Sequence, residues 1–228
     1  MKRIIYLGVA SLIITLQGFS QSQPNKSKAY VTSGAEIIFS FADVQQNGNN
    51  ASSIMRFSPV VNLQGMLNKD MSKKFGLFTG LALRNVGYIT NDYKDPATDQ
   101  IHKKKFRSYN VGVPVGFKVG NLEKTFFYGG YEIEVAVSYK EKNYDGSDKT
   151  DKITGWFSNR QELFQHGFLV GIQFPYGANL KFKYYLSEFH NQDYTNTAGV
   201  KPYAGLKSNI FYFSLNFFLF KNLKVYEH

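Results

Sequence analysis

The side chains that could do chemistry are sparse and do not form the motifs of metal or cofactor sites. The chain has no cysteine, and its four histidines include no H-x-x-x-H pair, so zinc catalysis has no support. Asp145, Asp148 and Asp151, with Gly146 among them, resemble a calcium loop only loosely, because the regular acidic spacing and the closing glutamate are missing. We therefore expect neither a metal ion nor a cofactor.

The densest basic cluster is formed by His102, Lys103, Lys104 and Lys105. We place it in a loop on the outside of a cell, where phosphate groups of an anionic surface would be within its reach. A run of solvated charges is the commoner interpretation of such a cluster. Nucleic-acid binding is not expected, because no binding module accompanies the cluster and the chain is predicted to be exported.

His166 is the one candidate for catalysis. It is predicted to face outward near the external end of a strand, where some membrane barrels that modify lipid A carry a histidine and a serine. Gln165 and Gly167 flank it, and no serine stands beside it to act as a nucleophile. An interfacial histidine is therefore the preferred prediction.

The elements that must position these residues show a long alternation with a period of two. From Tyr109 to Tyr139 every second residue is apolar or aromatic, and the residues between are small or polar, with a short polar break at residues 121–125. About ten residues of alternation suit a tilted strand that crosses a bilayer, whereas a globular strand has roughly five or six. The mean hydropathy of −0.31 does not oppose a membrane barrel, because half of each strand faces a polar lumen.

The alternation predicts eight strands, with Pro59 marking a bulge in the second: 34–44, 54–67, 75–90, 109–120, 126–139, 161–174, 178–187 and 209–220. Short and long connections alternate between them, as in outer-membrane barrels. We therefore predict an all-β fold, an eight-stranded antiparallel up-and-down transmembrane β-barrel with short periplasmic turns and long external loops.

Four segments follow from this division of the chain. Residues 1–20 are predicted to be a signal peptide, because Lys2 and Arg3 precede an apolar run too short to span a membrane, with cleavage after Ser20. Residues 21–32 are a flexible lead-in, 33–220 the outer-membrane β-barrel and 221–228 a C-terminal tail.

The inward faces of the predicted strands collect charges into a lumen charge network, which consists of Glu36, Arg56, Arg84, Lys118, Glu132, Glu134, Lys181 and Lys183. An eight-stranded barrel is about wide enough to be filled by its own side chains. A salt-bridged filling is therefore preferred to an ion path, with Arg84 and Lys118 expected near Glu132 or Glu134. Tyrosines near the strand ends are predicted to form interfacial girdles: Tyr88, Tyr93, Tyr109, Tyr128, Tyr139, Tyr184 and Tyr185.

Three segments carry a family likeness: RSYNVGVPVGFKVGN, GLFTGLALRNVGYI and the aromatic NIFYFSLNFFLF. They resemble strands of the small outer-membrane β-barrel proteins of Bacteroidota, a broad porin-family group. The resemblance implies the eight-stranded barrel and gives no catalytic residues. Such barrels usually end on an aromatic residue, whereas Phe220 is followed here by KNLKVYEH.

The predicted function is a structural or surface-interaction role in the bacterial outer membrane, with a filled lumen and no catalysis. Expected partners are outer-membrane lipid and lipopolysaccharide, the barrel-assembly machinery and an extracellular ligand at the long loops. The alternatives are a secreted or periplasmic β-sandwich binding protein, a lipid-modifying membrane barrel enzyme and a small-solute channel.

Overall fold

The computed structural model describes residues 29–145 and 148–224, and the signal peptide predicted for residues 1–20 lies outside them. The strands are β1 Ala29–Gln46, β2 Asn49–Ala51, β3 Arg56–Ser58, β4 Leu63–Asp70, β5 Phe75–Lys94, β6 Ile101–Gly120, β7 Phe126–Asp145, β8 Asp148–Trp156, β9 Phe164–Gln173, β10 Ala178–Tyr185 and β11 Leu206–Lys224. A single 3₁₀ turn, Pro175–Gly177, joins β9 to β10. In this part of the chain no helix is long and apolar enough to cross a membrane.

Eight of the strands form a closed antiparallel ring in the order β1-β4-β5-β6-β7-β9-β10-β11. The ring closes because β1 pairs with β4 on one side and with β11 on the other, from Tyr30 opposite Lys224 to Gln46 opposite Leu206. The short strands β2, β3 and β8 extend this ring beside β1 and β7. The predicted eight-stranded barrel is confirmed, and a ring of this kind is not a two-sheet sandwich.

The alternation in the sequence separates an apolar outer face from a polar lumen. On β6, Val111, Val113, Val115, Phe117 and Val119 point outward and are 43–51% exposed. The residues between them point inward, and Lys118 is buried there. An apolar outer band is what a bilayer requires of a barrel, because charge on that face is costly.

Several strands are longer than the alternation predicts. β5 and β6 continue beyond the apolar band, where Tyr93 pairs with His102, so the loop that we expected between them is short. β1 begins at Ala29, which brings the last residues of the predicted lead-in 21–32 into the ring, and β11 runs to Lys224, which brings in residues 221–224 of the predicted tail. These ends escape a search for hydrophobic alternation because polar residues continue the backbone ladder there.

The second predicted strand is broken at the bulge expected near Pro59. Ser58 pairs with Ile38 and Leu63 pairs with Ala35, so residues 59–62 stand opposite residues 36–37. The Asn62 side chain replaces hydrogen bonds that the interrupted strand does not make. Its Nδ2 donates to the carbonyl oxygen of Ser58 (2.9 Å), and its Oδ1 accepts from the backbone N–H of Asn85 (2.7 Å). An excursion of the chain thus interrupts the barrel wall without leaving these backbone groups unpaired.

A second bulge reverses the facing of β7. Tyr109 pairs with Ser138 but Asn110 pairs with Ala136, so Val137 is an extra residue. Below the bulge the even-numbered Glu132 and Glu134 face the lumen; above it Tyr139 and Glu141 do. The predicted facing of β7 is therefore wrong beyond Val137, because a single extra residue moves later side chains to the other face.

Candidate functional site

Six charged side chains from four strands meet in the middle of the lumen and form the lumen cluster: Glu36, Arg84, Glu132, Glu134, Lys181 and Lys183. Arg84 lies at its centre. Its guanidinium is 2.8 Å from a Glu36 oxygen, 3.0 Å from a Glu132 oxygen and 3.5 Å from a Glu134 oxygen. All six are predicted members of the lumen charge network.

The two lysines complete the charge balance of the lumen cluster. Lys183 Nζ lies 2.7 Å from a Glu132 oxygen and 2.5 Å from a Glu134 oxygen, and Lys181 pairs with Glu36. Three cations therefore face three carboxylates, and all six side chains are at most 3% exposed. This mutual pairing satisfies charges that would be very costly to bury alone.

A glycine makes room for the lumen cluster. Gly112 of β6 faces the lumen between the two glutamates of β7, and a Cβ atom there would stand 2.7 Å from Glu132 Oε1 and 2.8 Å from Glu134 Cγ. Any larger residue would displace the carboxylates. The small residues of β6 therefore allow the charged side chains of β7 to lie across them.

The other two predicted members of the network, Lys118 and Arg56, lie elsewhere. Lys118 Nζ pairs with Asp70 at 2.5 Å and with the Tyr30 hydroxyl at 3.0 Å, at the end of the barrel that carries the short turns, instead of approaching Glu132 or Glu134. The Arg56 side chain is turned across the broken second strand, where its Nη1 donates to the Asn85 carbonyl oxygen at 3.1 Å. Arg56 is buried and pairs with the buried Ser40 of β1, so its backbone position keeps the predicted inward facing although its side chain lies away from the lumen cluster.

Above the lumen cluster, the long connection 186–205 between β10 and β11 folds into the external mouth of the barrel. Phe189, His190 and Tyr203 from this connection are buried against Tyr88 and Phe106 of the wall. The His190 Nε2 and the Tyr88 hydroxyl are 2.9 Å apart. We call this packed set the mouth plug.

A buried ion pair fastens the mouth plug to the wall. Lys104 Nζ is 2.8 Å from a Glu141 oxygen, and the hydroxyl groups of Tyr139 and Tyr203 donate to the other Glu141 oxygen at 2.9 Å and 2.6 Å. Arg160 in turn donates to the Tyr203 hydroxyl at 3.1 Å. Both the mouth and the middle of the barrel are thus closed by side chains. A cavity of about 50 Å³ remains below the lumen cluster.

The predicted tyrosine girdle holds only in part. Tyr88, Tyr93, Tyr139 and Tyr185 are at most 1% exposed and lie inside the barrel. Tyr128 also points inward, with its hydroxyl 2.6 Å from Asn179 Oδ1. Tyr88, Tyr128 and Tyr185 occupy inward positions of the regular strand alternation. Tyr139 is turned inward by the bulge at Val137. Tyr109 and Tyr184 stay on the outer side.

The predicted basic loop cluster His102, Lys103, Lys104 and Lys105 belongs to strand β6, not to a loop. Successive side chains of a strand point to opposite faces. Lys104 therefore enters the lumen and pairs with Glu141, while Lys103 and Lys105 point outward. The four residues do not act as one cluster.

His166 has a serine neighbour that the sequence alone does not reveal. Ser187, on the segment after β10, accepts the His166 backbone N–H at 3.0 Å, and the imidazole Nδ1 is 2.5 Å from the Tyr131 hydroxyl. Among the described residues no hydrogen bond joins the His166 ring to the Ser187 hydroxyl, so the arrangement is not a base paired with a nucleophile. Across the same residues no three acidic, histidine or cysteine side chains come close enough to hold a metal ion.

A basic surface on the outer face above the apolar band was missed by the sequence analysis. It consists of Arg56, Lys105, Arg107, Lys140 and Lys142, which line one notch beside the broken second strand; we call it the basic wall. The pairing of β6 with β7 brings residues from distant parts of the chain together, because Arg107 stands opposite Lys140 and Lys105 opposite Lys142. The spacing K-x-K-x-R at residues 103–107 and K-x-K at 140–142 was the signal for it.

The architecture can be compared with known proteins. The chain is similar to Ail, the attachment invasion locus protein of Yersinia pestis, in its complex with the heparin analogue sucrose octasulfate (11% identity, TM-score 0.38, 84% of this chain and 97% of that one). It is also similar to Neisserial surface protein A (12%, 0.36, 84% and 97%) and to OprG from Pseudomonas aeruginosa (10%, 0.35, 85% and 97%). At these scores the similarities carry no information on function.

No curated protein matches the sequence. One family profile, described as outer membrane protein beta-barrel domain, matches residues 19–223, which is most of the chain. Together with the closed ring and its apolar outer band, this match shows that the chain belongs to the outer membrane protein β-barrel domain family.

Proposed function

We propose that the protein is a filled outer-membrane barrel that has a structural or surface-interaction role and acts through its external surface. The observation that carries this proposal is the double closure of the lumen. The lumen cluster fills the middle with three cations and three carboxylates, and the mouth plug covers the external end. Only the outer face and the external segments then remain for contact with partners.

A small-solute channel is the main competing function, and planar-bilayer conductance separates the two. The wild type should show no current steps after insertion. A variant with alanine at Arg84, Glu132, Glu134 and Lys183 removes two cations and two carboxylates, which keeps the charge balance. The same variant has residues 189–203 replaced by a short glycine-serine linker, so that the mouth plug is removed together with the lumen cluster. It serves as the positive control. Current steps from the wild type would refute the filled-barrel proposal.

Catalysis is not part of the proposed function. The His166 imidazole faces the Tyr131 hydroxyl, and the Ser187 hydroxyl accepts a backbone N–H, so neither group is arranged to attack a lipid ester. We expect His166→Ala to leave the mass spectrum of lipid A unchanged. A change in that mass on comparison with cells carrying the wild type would make the enzyme class the better proposal.

The placement in the cell follows from the same proposal. A signal peptide cleaved after Ser20 would deliver the chain to the outer membrane of a bacterium of the Bacteroidota type, where the assembly machinery inserts it among lipid and lipopolysaccharide. The long external segments would then be open to an extracellular ligand. Terminal sequencing of protein purified from outer membranes tests the cleavage site, and unboiled gels test the folded barrel, because closed barrels migrate differently before and after heating.

A further inference from the structure

We propose that the basic wall binds the phosphate groups of an anionic glycolipid headgroup in the outer leaflet. This inference deepens the proposed function, and it rests on the placement of the barrel in an outer membrane. Lys105, Arg107, Lys140 and Lys142 of the wall point to the lipid-facing side of the barrel, and the buried Arg56 lines the same notch at the gap in the second strand. Its chemistry, several cations around one notch, is that of a site for phosphate.

The cations of the basic wall are crowded in a way that requires a counter-charge. Arg107 stands directly opposite Lys140, and Lys142 stands between Lys105 on β6 and Lys152 on β8 in one row. Like charges directly opposite each other destabilise a sheet. In the described ranges no carboxylate forms an ion pair with any of these residues, whereas the lumen cations Arg84, Lys104, Lys181 and Lys183 are all paired.

Two guanidinium nitrogens in this region are buried but have no acceptor. Arg56 is 3% exposed, and its two Nη groups donate to Asn85, at 3.1 Å to the carbonyl oxygen and 2.5 Å to Oδ1. The Nε of Arg56 and the Nε of Arg107 find no hydrogen-bond partner among the described atoms. A buried donor without an acceptor is costly, and a phosphate oxygen would satisfy it.

The position of the basic wall just above the apolar band favours a lipid headgroup as the ligand. Val111 and Tyr109 end the apolar band on β6, and Arg107 is the next outward residue, about 6.6 Å further along the strand. Its guanidinium lies 4.8 Å above the Tyr109 ring. Cations at this level meet the phosphates of lipids whose chains lie against the band below.

The notch itself has two chemical halves. Phe57 and Val60 line it together with the five cations, and they are 54% and 61% exposed on the lipid-facing side. The notch has a volume of about 190 Å³. Apolar side chains next to cations fit an acyl chain attached to a phosphorylated head and give free phosphate no added contact, so a lipid is the ligand that the surface favours.

The experiment reconstitutes the full mature chain in phosphatidylcholine nanodiscs that contain either diphosphoryl lipid A or the dephosphorylated lipid A. Native mass spectrometry then counts the lipid A molecules that stay bound. The wall variant is Arg107→Gln/Lys140→Gln/Lys142→Gln. The matched control, Lys69→Gln/Lys73→Gln/Lys74→Gln, removes the same charge from exposed lysines at the end with the short turns.

The wild type and the control should retain diphosphoryl lipid A, and the wall variant should lose it. The expected decrease in affinity is on the order of 100-fold, because each of the three basic residues near a charged leaflet contributes about a factor of five. Equal loss in wall variant and control would show attraction to net charge alone and overturn the site. Displacement of the lipid by inorganic phosphate, or equal retention of dephosphorylated lipid A, would overturn it as well. Wild type that shows no gel shift on heating would instead refute the barrel placement.

Discussion

Replacing the central arginine of the lumen by an apolar side chain tests how the barrel tolerates six buried charges. Arg84→Met keeps most of the side-chain volume but leaves three carboxylates facing the two ammonium groups of Lys181 and Lys183. The guanidinium contacts three carboxylates within 3.5 Å, so no single neighbour can replace it.

The expected loss is about 3–5 kcal/mol of unfolding free energy, which is the usual cost of leaving a partner of a buried ion pair uncompensated. Charge balance returns in the double variant Arg84→Met/Glu132→Gln, so it should recover about 1–3 kcal/mol of that loss. The matched control is Lys94→Met on the same strand. Lys94 pairs with Asp99 at 2.7 Å, but both side chains are at least half exposed, so its removal should cost at most about 1 kcal/mol.

The assay is urea unfolding in lipid vesicles, read as the fraction of protein that keeps the fast mobility on unboiled gels. The midpoint should fall for Arg84→Met without a change in the slope of the free energy with urea. A loss no larger than that of the Lys94 control would contradict a tightly filled lumen. It would indicate instead that water solvates the freed carboxylates.

Three further predictions concern the lipid-facing surface of β6, the bulge at Pro59 and the mouth plug. Val115→Lys puts a charge on the lipid-facing middle of β6, where it should cost about 2–4 kcal/mol and reduce insertion into vesicles; normal insertion would show that the facing is wrong. Asn62→Ala removes the side chain that bonds Ser58 and Asn85, so the free energy of unfolding should drop by on the order of 2–3 kcal/mol and the midpoint in urea should fall with it; an unchanged midpoint would mean that water replaces the side chain. Burial lowers the pKa of His190 to about 3, although the charge of Glu141 opposes this shift. In the unfolded connection the same histidine takes up a proton near pH 6.5. The free energy that closes the mouth therefore decreases as the pH falls below 6.5, by about 2 kcal/mol at pH 5. Proteolysis of residues 191–202 should therefore speed up at about pH 5 in the wild type but not in His190→Gln, and equal rates in both would refute the role of His190.

The periodicity of the sequence predicted the parts of the barrel that the bilayer constrains. Lipid requires an apolar residue at every second position of a strand. The outward face of β6 and the inward charges of β7 and β10 could therefore be predicted from the sequence. Glu132, Glu134, Lys181 and Lys183 accordingly lie in the lumen. The constraint ends where the strands leave the membrane, and there β5 and β6 continue with polar residues that the pattern does not distinguish from a loop.

One source of error is a local change in register. The extra residue Val137 moves Tyr139 from the predicted outer face to the lumen. A bulge costs only one or two ladder hydrogen bonds and has no composition of its own, so alternation alone does not locate its effect on later residues. The interior contacts of Lys104 were missed for a different reason, because β6 continues where the sequence predicted a loop.

The cations in the lumen are paired with carboxylates, whereas the cations on the outer face are not, and this difference indicates where a partner would bind. In the lumen, Arg84, Lys181 and Lys183 face three carboxylates, because buried cations are stabilised only by groups of opposite charge. On the outer face above the apolar band, Arg107 and Lys140 stand opposite each other and form no ion pair with the described carboxylates. A sheet that only had to remain folded would gain by placing a glutamate opposite either of them. The proposed contact with the phosphate groups of the outer leaflet would supply the counter-charge that the described part of the chain does not provide.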